Sequence, residues 1–438
     1  KYYNYIILQL FNMLVPIAYY LYYFLPKNGI WFFYSNKHWR NFKDFDSFYF
    51  SFLEKISYLH QIPKLDSNFN ISQNLILKFI LKIQLFFIKR KKIIIFTGYR
   101  YGLKNLSNNI HKYKANKFIT VSLIRSDRFP IIKSLLNFIK IIINHNNIEI
   151  QNPFYNKFIS ENIKFDPYKY FENDKYIKQI GLAYSDSINN YINNFYKLIY
   201  DFSTVLKKLN IQKVVTDQLR LGAPLALGIA AENNKNDIIL ISHGSHSYNK
   251  NFNSNFANLI NADGVLFSPL KVTTVAQSPI AEEFILKNNI KNKYFNFSPI
   301  MWGYQKLNKR NDNVRYILHA GSYKILSQRP FMYETSNEYL NNILKIVKTV
   351  SEIENLKLII RFRPKKELSL ETLKNYLPGN NSYEISMNNS ITYDLSRTSI
   401  LISFSSTLIE ECLKLNIPVL QFGETNRYIH IDKNFNNI

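Results

Sequence analysis

Two successive series of alternating apolar strands and amphipathic helices predict an α/β protein. The first opens on Lys92–Thr97 with Gly98 behind it, the second on Arg315–His319 with Gly321 behind it. A strand, a glycine turn and a helix begin a doubly wound unit, and such alternation requires parallel sheets with helices on their faces. The expected architecture is two doubly wound parallel-sheet domains facing a cleft, preceded by an aromatic-rich helical N-terminal segment. The expected divisions are 1–90 for that segment, 91–300 for the first domain with an insertion near 144–184, and 301–438 for the second.

The elements follow in order. From Tyr5 to Leu25 the chain is apolar and tyrosine-rich, long enough to cross a bilayer but interrupted by Gln9, Asn12 and Pro16. Its tyrosines suit an interface better than lipid tails, so a core or membrane-surface helix is expected, and the stretch lacks the small-residue cleavage site of a secretory signal. A polar, irregular stretch runs to about Asn74, then an apolar helix with basic residues from Leu75 to Arg90. After the glycine turn a helix starts near Asn105, Phe118–Ile124 reads as a strand and Ile131–Ile143 as an amphipathic helix. The tyrosine- and asparagine-rich insertion, Asn144 to Tyr184, leads to a helix ending near Leu209. Strands are then expected at Lys213–Asp217, Asp237–Ser242, Ala262–Ser268 and Tyr294–Phe297, with helices at Pro224–Glu232 and Ala281–Asn288. Pro299 to Asn313 forms a polar linker. The second series continues with helix Asn337–Ile353, strand Leu356–Phe362, helix Leu370–Tyr376, and a strand, helix and strand through Phe422. A chain that starts at Lys1 and stops in Asn436-Asn437-Ile438 soon after a strand is expected to be a fragment lacking its last helices.

A length of 438 residues exceeds one compact core, and 46% hydrophobic with 16% aromatic residues excludes a disordered chain. The net charge of +25 suits an anionic partner: nucleic acid, a membrane surface or a phosphorylated substrate. Part of it is compositional, because Lys, Asn, Ile, Phe and Tyr are abundant together, as an AT-rich genome writes them. The single cysteine, Cys412, rules out a disulfide framework and a cysteine zinc site and points to a reducing compartment.

Three constellations carry chemistry. Ser242-His243-Gly244-Ser245-His246 follows a strand, at the end where open parallel sheets hold ligands. His243 is either a hydrogen-bonded structural residue or a base acting near neutral pH, with Gly244 permitting close approach of the backbone. The second pairs His319-Ala320-Gly321-Ser322 with Arg361-Phe362-Arg363-Pro364. Gly321 and Ser322 would offer donors to a phosphate, and Arg361 and Arg363, on one side of an extended segment, would fork its oxygens; the alternative is solvated surface charge. In the third, Ser405-Ser406-Thr407 breaks an apolar strand and opens a helix carrying Glu410 and Glu411. It is either a serine cap on an ordinary helix or a grip in which free backbone N–H groups and the helix dipole hold a phosphate. Glu411, one turn before Leu415, is expected on the less exposed side. The Gly423–Tyr428 loop would close over a bound group or be an ordinary turn. No phosphate-cradling glycine-lysine loop and no cysteine-histidine metal cluster is present, and Asp44-Phe45-Asp46 lacks the preceding apolar strand of a metal-nucleotide pair.

These residues, His243-Gly244, Gly321-Ser322, Arg361-Phe362-Arg363-Pro364 and Ser405-Ser406-Thr407 through Glu410-Glu411 to Pro418-Val419, resemble glycosyltransferases of the B-type fold, with two Rossmann-like domains. The nearest likeness is to bacterial surface and capsular polysaccharide types, including teichoic-acid types. It covers about Ile211 to Phe422. The resemblance implies a nucleotide-sugar donor held in the C-terminal domain and a saccharide or lipid-linked saccharide acceptor served by the N-terminal one. Carried over, His243 is the base, Ser405, Ser406 and Thr407 cradle the diphosphate, Arg361 and Arg363 clamp the leaving group, and Glu410 or Glu411 binds a hydroxyl. Gly98, Gly244, Ser245 and His246 lie on the acceptor side. No cofactor and no essential metal is implied, and the cytoplasm is the expected location, with peripheral contact at the inner membrane face. Arg363 stands where many teichoic-acid relatives have histidine, a departure from that subfamily. Sugar-nucleotide epimerases share the fold and similar serine-to-glutamate turns, and polyol-phosphate transfer is a further alternative. The non-enzymatic alternative is a basic protein binding membrane or nucleic acid, although nucleic acid is not the expected partner.

Overall fold

In the computed structural model the protein is α/β, with two parallel sheets. The structure describes strands at 31–35, 38–42, 92–96, 118–124 and 147–151, residues 103 and 106, and residues 175–423 apart from 210, 221, 243–245, 297–306, 308–313, 322–333 and 363–367. The chain divides into two compact units, residues 1–240 with 268–273, and residues 241–267 with 274–438. The aromatic segment expected at 5–25 and the helices expected at 75–90 and 131–143 lie outside the described residues, as does the Asp44-Phe45-Asp46 pair; of the helix expected near 105 only Leu103 and Leu106, both helical, are described. Within the stretch read as irregular, β1 (Trp31–Ser35) and β2 (His38–Phe42) form an antiparallel hairpin with Ser35 opposite His38.

The larger sheet contains β3 (Lys92–Phe96), β4 (Phe118–Ile124), β5 (Asn147–Gln151), β6 (Lys213–Thr216), β7 (Asp237–Ile241), β8 (Thr273–Ala276) and β9 (Lys293–Asn296). Their order is β5-β4-β3-β6-β7-β8-β9. The chain builds outward from β3 to one edge, returns to β6, which pairs with β3 in parallel, and builds to the other edge. β5 begins the region read as an insertion, and α1 (Lys175–Leu209) takes its last ten residues. Asparagine richness hid both, although Ile148 and Ile150 alternate as a half-buried strand requires. α2 (Gly222–Asn233) is apolar on nearly all sides, with Leu225, Ala226, Ile229 and Ala230 fully buried, so it serves as a core helix. The Gly222 N–H donates to Tyr191 Oη at 2.8 Å, joining α2 to α1, and its φ of +68° is one that glycine adopts without strain.

The strand expected at Ala262–Ser268 does not form. α3 (Phe252–Ala262) ends there, Gly264 turns the chain with φ +71°, and β8 follows at Thr273. The asparagine-rich sequence of α3 disguises a helix whose start is capped by Asn251 Oδ1 accepting from Ser254 N at 3.0 Å. α4 (Pro279–Lys287) is capped by Ser278 and has Pro279 at its first position.

The smaller sheet contains β10 (Arg315–Ala320), β11 (Leu356–Arg361), β12 (Tyr383–Ser386), β13 (Thr398–Ser403) and β14 (Val419–Gln421) in the order β12-β11-β10-β13-β14, all parallel. α5 (Ser336–Ser351) lays Tyr339, Ile343, Ile346 and Val347 against Ile317, Leu358 and Ile360 on one face. Ile343 and Val347 are fully buried, each contributing roughly 1.5–3 kcal/mol. A capping box between Thr335 and Glu338 starts this helix. α6 (Leu370–Tyr376) follows β11. On the opposite face α7 (Ile391–Arg397) and α8 (Leu408–Lys414) pack Leu395, Leu408, Ile409 and Cys412 against Leu318, Ala320, Ile359 and Leu401. Helices on both faces make this sheet doubly wound. β12 and α7 are elements the sequence reading passed over.

Candidate functional site

In the smaller sheet successive strands run outward from β10 and then, on the other side, from β13, so the winding direction reverses between these two. That is the topological switch point, where open α/β sheets leave a crevice beyond the carboxyl ends of their strands. The registers place Ser386, Arg361 and Ala320 side by side, and Ser403 opposite Gln421. Ser403 closes the row, because its Oγ donates to the Ala320 carbonyl at 2.7 Å. A row of polar side chains therefore crosses the carboxyl ends of four of the five strands, on the face covered by α7 and α8, with Ala320 as its apolar member on β10.

Arg361 is the central cation of this row. Its Nη1 donates to Asp394 Oδ2 at 2.5 Å and to the Asn389 carbonyl at 3.1 Å. Asp394, fully buried on α7, also accepts from Ser386 Oγ at 2.7 Å. The guanidinium is thus anchored through one nitrogen on a carboxylate that the sequence reading missed. Its other donors, Nε and Nη2, point to no protein acceptor among the described residues. Beside it, burial raises the Glu411 carboxyl above the usual range, and the positive charge of Arg361 offsets part of that rise.

The three hydroxyl residues after β13 play different parts. Ser405 is buried, Ser406 Oγ accepts from Leu408 N at 3.2 Å, and Thr407 is exposed and makes no side-chain cap. Ser406 is therefore the residue that caps α8, a helix of only seven residues. Glu410, rather than Glu411, is the buried carboxylate, which corrects the expectation from sequence. Burial raises its pKa to about 8, only partly countered by Ser278 Oγ donating to Oε1 at 2.9 Å. Helical spacing from Leu415 could not reveal this, because Ser278 lies far away in sequence. Cys412 is buried on the same helix, and burial with the nearby Glu411 pushes its thiol up to about 12, away from nucleophilic chemistry.

Gly321 follows β10, and a Cβ built on it would meet nothing within 4 Å, so its approach is open. Its carbonyl accepts from Tyr339 Oη at 3.2 Å, which pins the turn to α5. His319, one step inside the strand, is buried against the edge of Tyr339 at 6.1 Å, and burial lowers its pKa to about 4, so it stays neutral. On the far side of the switch point, Phe404 fills the space at Gly423, where an added Cβ would lie 2.3 Å from its ring.

In the larger sheet the same reversal falls between β3 and β6, not at β7. Asp217, buried at the carboxyl end of β6, is a candidate missed in the sequence. His246 is buried 6.2 Å from the Phe284 ring, and its loop is held by Asn258 Nδ2 donating to the Ser247 carbonyl at 2.8 Å. Gly98, His243, Gly244, Ser245, Ser322 and Arg363 lie outside the described residues. Among the described residues no group of three or more His, Cys, Asp or Glu is arranged to hold a metal ion.

No protein-family model matches the chain, and no curated protein matches its sequence. Among solved structures the chain is similar to the UDP-GlcNAc 2-epimerase of Neisseria meningitidis bound to UDP-GlcNAc, at 13% identity and a TM-score of 0.44, covering 76% of this chain and 83% of that one. It is similar to the UDP-N-acetylglucosamine 2-epimerase of Rickettsia bellii at 16% identity and TM-score 0.41, over 77% and 80% of the two chains. A lipopolysaccharide outer core galactosyltransferase is similar at 12% identity and TM-score 0.40, over 77% and 82%. Likeness of this degree says nothing of what this chain binds.

Proposed function

We propose that the protein is a nucleotide-sugar-dependent glycosyltransferase acting on a surface-polysaccharide or lipid-linked saccharide acceptor. The observation that carries the reading is the polar row at the β10/β13 switch point, with an arginine held by one edge, an unobstructed glycine turn and two carboxylates. These are the parts needed to hold a diphosphate and its adjoining hydroxyls. The remaining donors of Arg361, joined by Arg363, would meet the phosphate oxygens, while the backbone around Gly321 and Ser405–Thr407 supplies neutral donors. Glu410 already accepts a hydroxyl bond from Ser278, the same kind of bond a sugar or ribose hydroxyl makes. His243 takes the proton of the acceptor hydroxyl, whose oxygen bonds to the anomeric carbon as the bond from that carbon to the diphosphate breaks. The departing charge is met by Arg361 and Arg363, a role that requires no metal.

The test of the base is His243→Ala, assayed by nucleoside diphosphate release from a nucleotide sugar in the presence of polyprenyl-linked saccharides. Transfer is expected to fall by about a hundredfold or more while donor binding persists. Transfer at the parent rate would remove His243 from the mechanism. A second reading draws on Glu410, since a carboxyl titrating near 8 both gives and takes a proton around neutrality, as nucleotide-sugar epimerisation demands. Solvent deuterium entering a nucleotide sugar with no acceptor present would favour it.

A further inference from the structure

The second unit carries an exposed surface that the proposed chemistry does not use. On α3, Phe252, Asn255 and Phe256 lie at helical spacing on one side, with Phe252 79% and Phe256 45% exposed. The two rings stack at 6.1 Å with planes 11° apart, forming a flat apolar strip. Asn255 Nδ2 donates to Asn288 Oδ1 at 2.8 Å, so this strip abuts the end of α4. There Leu286 is 56% exposed, and on the edge strand β9 Phe295 is 53% exposed beneath the Lys293 ammonium, 5.1 Å from its ring. A shared core of Ala262, Phe284 and Ile285 packs α3 and α4 together, so these protruding groups belong to one packed substructure.

Charge on this surface has one sign. Lys250, Lys287, Lys291 and Lys293 are exposed, and neither 243–262 nor 284–296 contains an aspartate or glutamate. The half-buried Asp263, at the end of α3, and Glu282 and Glu283, in α4, are the nearest acids along the chain. Protruding phenylalanines and a leucine among lysines fit an anionic lipid surface: the apolar groups enter the acyl boundary while the ammonium groups remain with the phosphates. A nucleic acid would be stacked by aromatic rings and forked by arginines, and Leu286 would add nothing to that contact.

We infer that this face, Phe252 and Phe256 of α3 with Leu286 and the lysines at 287, 291 and 293, docks the protein peripherally on an anionic membrane. The inference is independent of the nucleotide-sugar reading, because vesicle binding and nucleotide binding are measured separately. The full chain is sedimented with phosphatidylcholine vesicles with and without phosphatidylglycerol. Two variants are compared with it, Phe252→Ser with Phe256→Ser, and Lys287→Glu with Lys291→Glu and Lys293→Glu. Binding is expected only to the anionic vesicles, to weaken with salt, and to drop by about tenfold or more in each variant while their melting temperatures stay at the parent value. The inference is overturned if the full chain does not bind anionic vesicles, or if the variants bind them equally well. It also fails if the variants lose single-stranded polynucleotide binding instead.

Discussion

Glu410 presents the sharpest conflict between burial and charge in the described residues. Its folded pKa of about 8 lies above the unfolded value, so the folded state holds the proton more tightly. The stability this contributes is fully present below the unfolded pKa, near 4.5, and is lost as pH rises through the folded one. Melting temperature is therefore expected to fall between about pH 5 and 8. Glu410→Gln, which keeps an acceptor for Ser278, should flatten that fall and melt at least about 4 °C above the parent at pH 8.5. Equal slopes for the two proteins would place the carboxyl in a wetter site than its burial indicates. Arg361 and Asp394 form an ion pair in which the carboxylate is fully buried. Asp394→Ala leaves the half-buried guanidinium with only the Asn389 carbonyl as acceptor among the described residues and should cost roughly 3–5 kcal/mol in denaturant unfolding. An effect below about 1 kcal/mol would mean that solvent already screens the pair.

At the scale of elements, the turn after β13 depends on how Phe404 is held between Ser403 and Ser405. An added methyl at Gly423 would lie 2.3, 2.7 and 2.9 Å from Phe404 Cδ2, Cγ and Cβ, too deep into the side chain for the ring alone to yield. Gly423→Ala should therefore cost about 1–3 kcal/mol and, if the proposed site is right, weaken nucleotide binding, because Phe404 follows directly on the strand end proposed to face the diphosphate. Retained binding in a destabilised variant would separate the packing from the site. Most of this sheet was legible in the sequence, because β10, β11, α5 and α6 have full apolar periods and clear caps. β12 and α7 were not, since Tyr383–Ser386 is four residues long and Ile391–Arg397 is a helix of two turns. Their absence from the sequence reading hid Asp394, and with it the reason Arg361 is held on one edge. The arginine itself was legible as the last residue of an apolar strand, but its partner becomes visible only when Ser386 stands beside it in register.

For the molecule as a whole, the two runs of alternating elements sufficed to predict two parallel sheets, because strand order follows from short right-handed connections. They did not show which strand ends matter. His243 was favoured for following a strand, whereas the reversal of winding in the larger sheet falls at β3 and β6, beside Asp217. The central claim is that a nucleoside diphosphate sits at the β10/β13 switch point. Gly321 offers the cleanest probe, since an added Cβ there meets no atom within 4 Å and its backbone is not in the left-handed region. The measurement is thermal unfolding of the full chain and of Gly321→Leu with each nucleoside diphosphate and its common sugar conjugates. At saturating concentration one base class should raise the melting temperature of the parent by about 3 °C or more. Gly321→Leu should melt like the parent when free and show no rise with that nucleotide. If no nucleotide stabilises the parent, or if Gly321→Leu is stabilised equally, the diphosphate does not bind there.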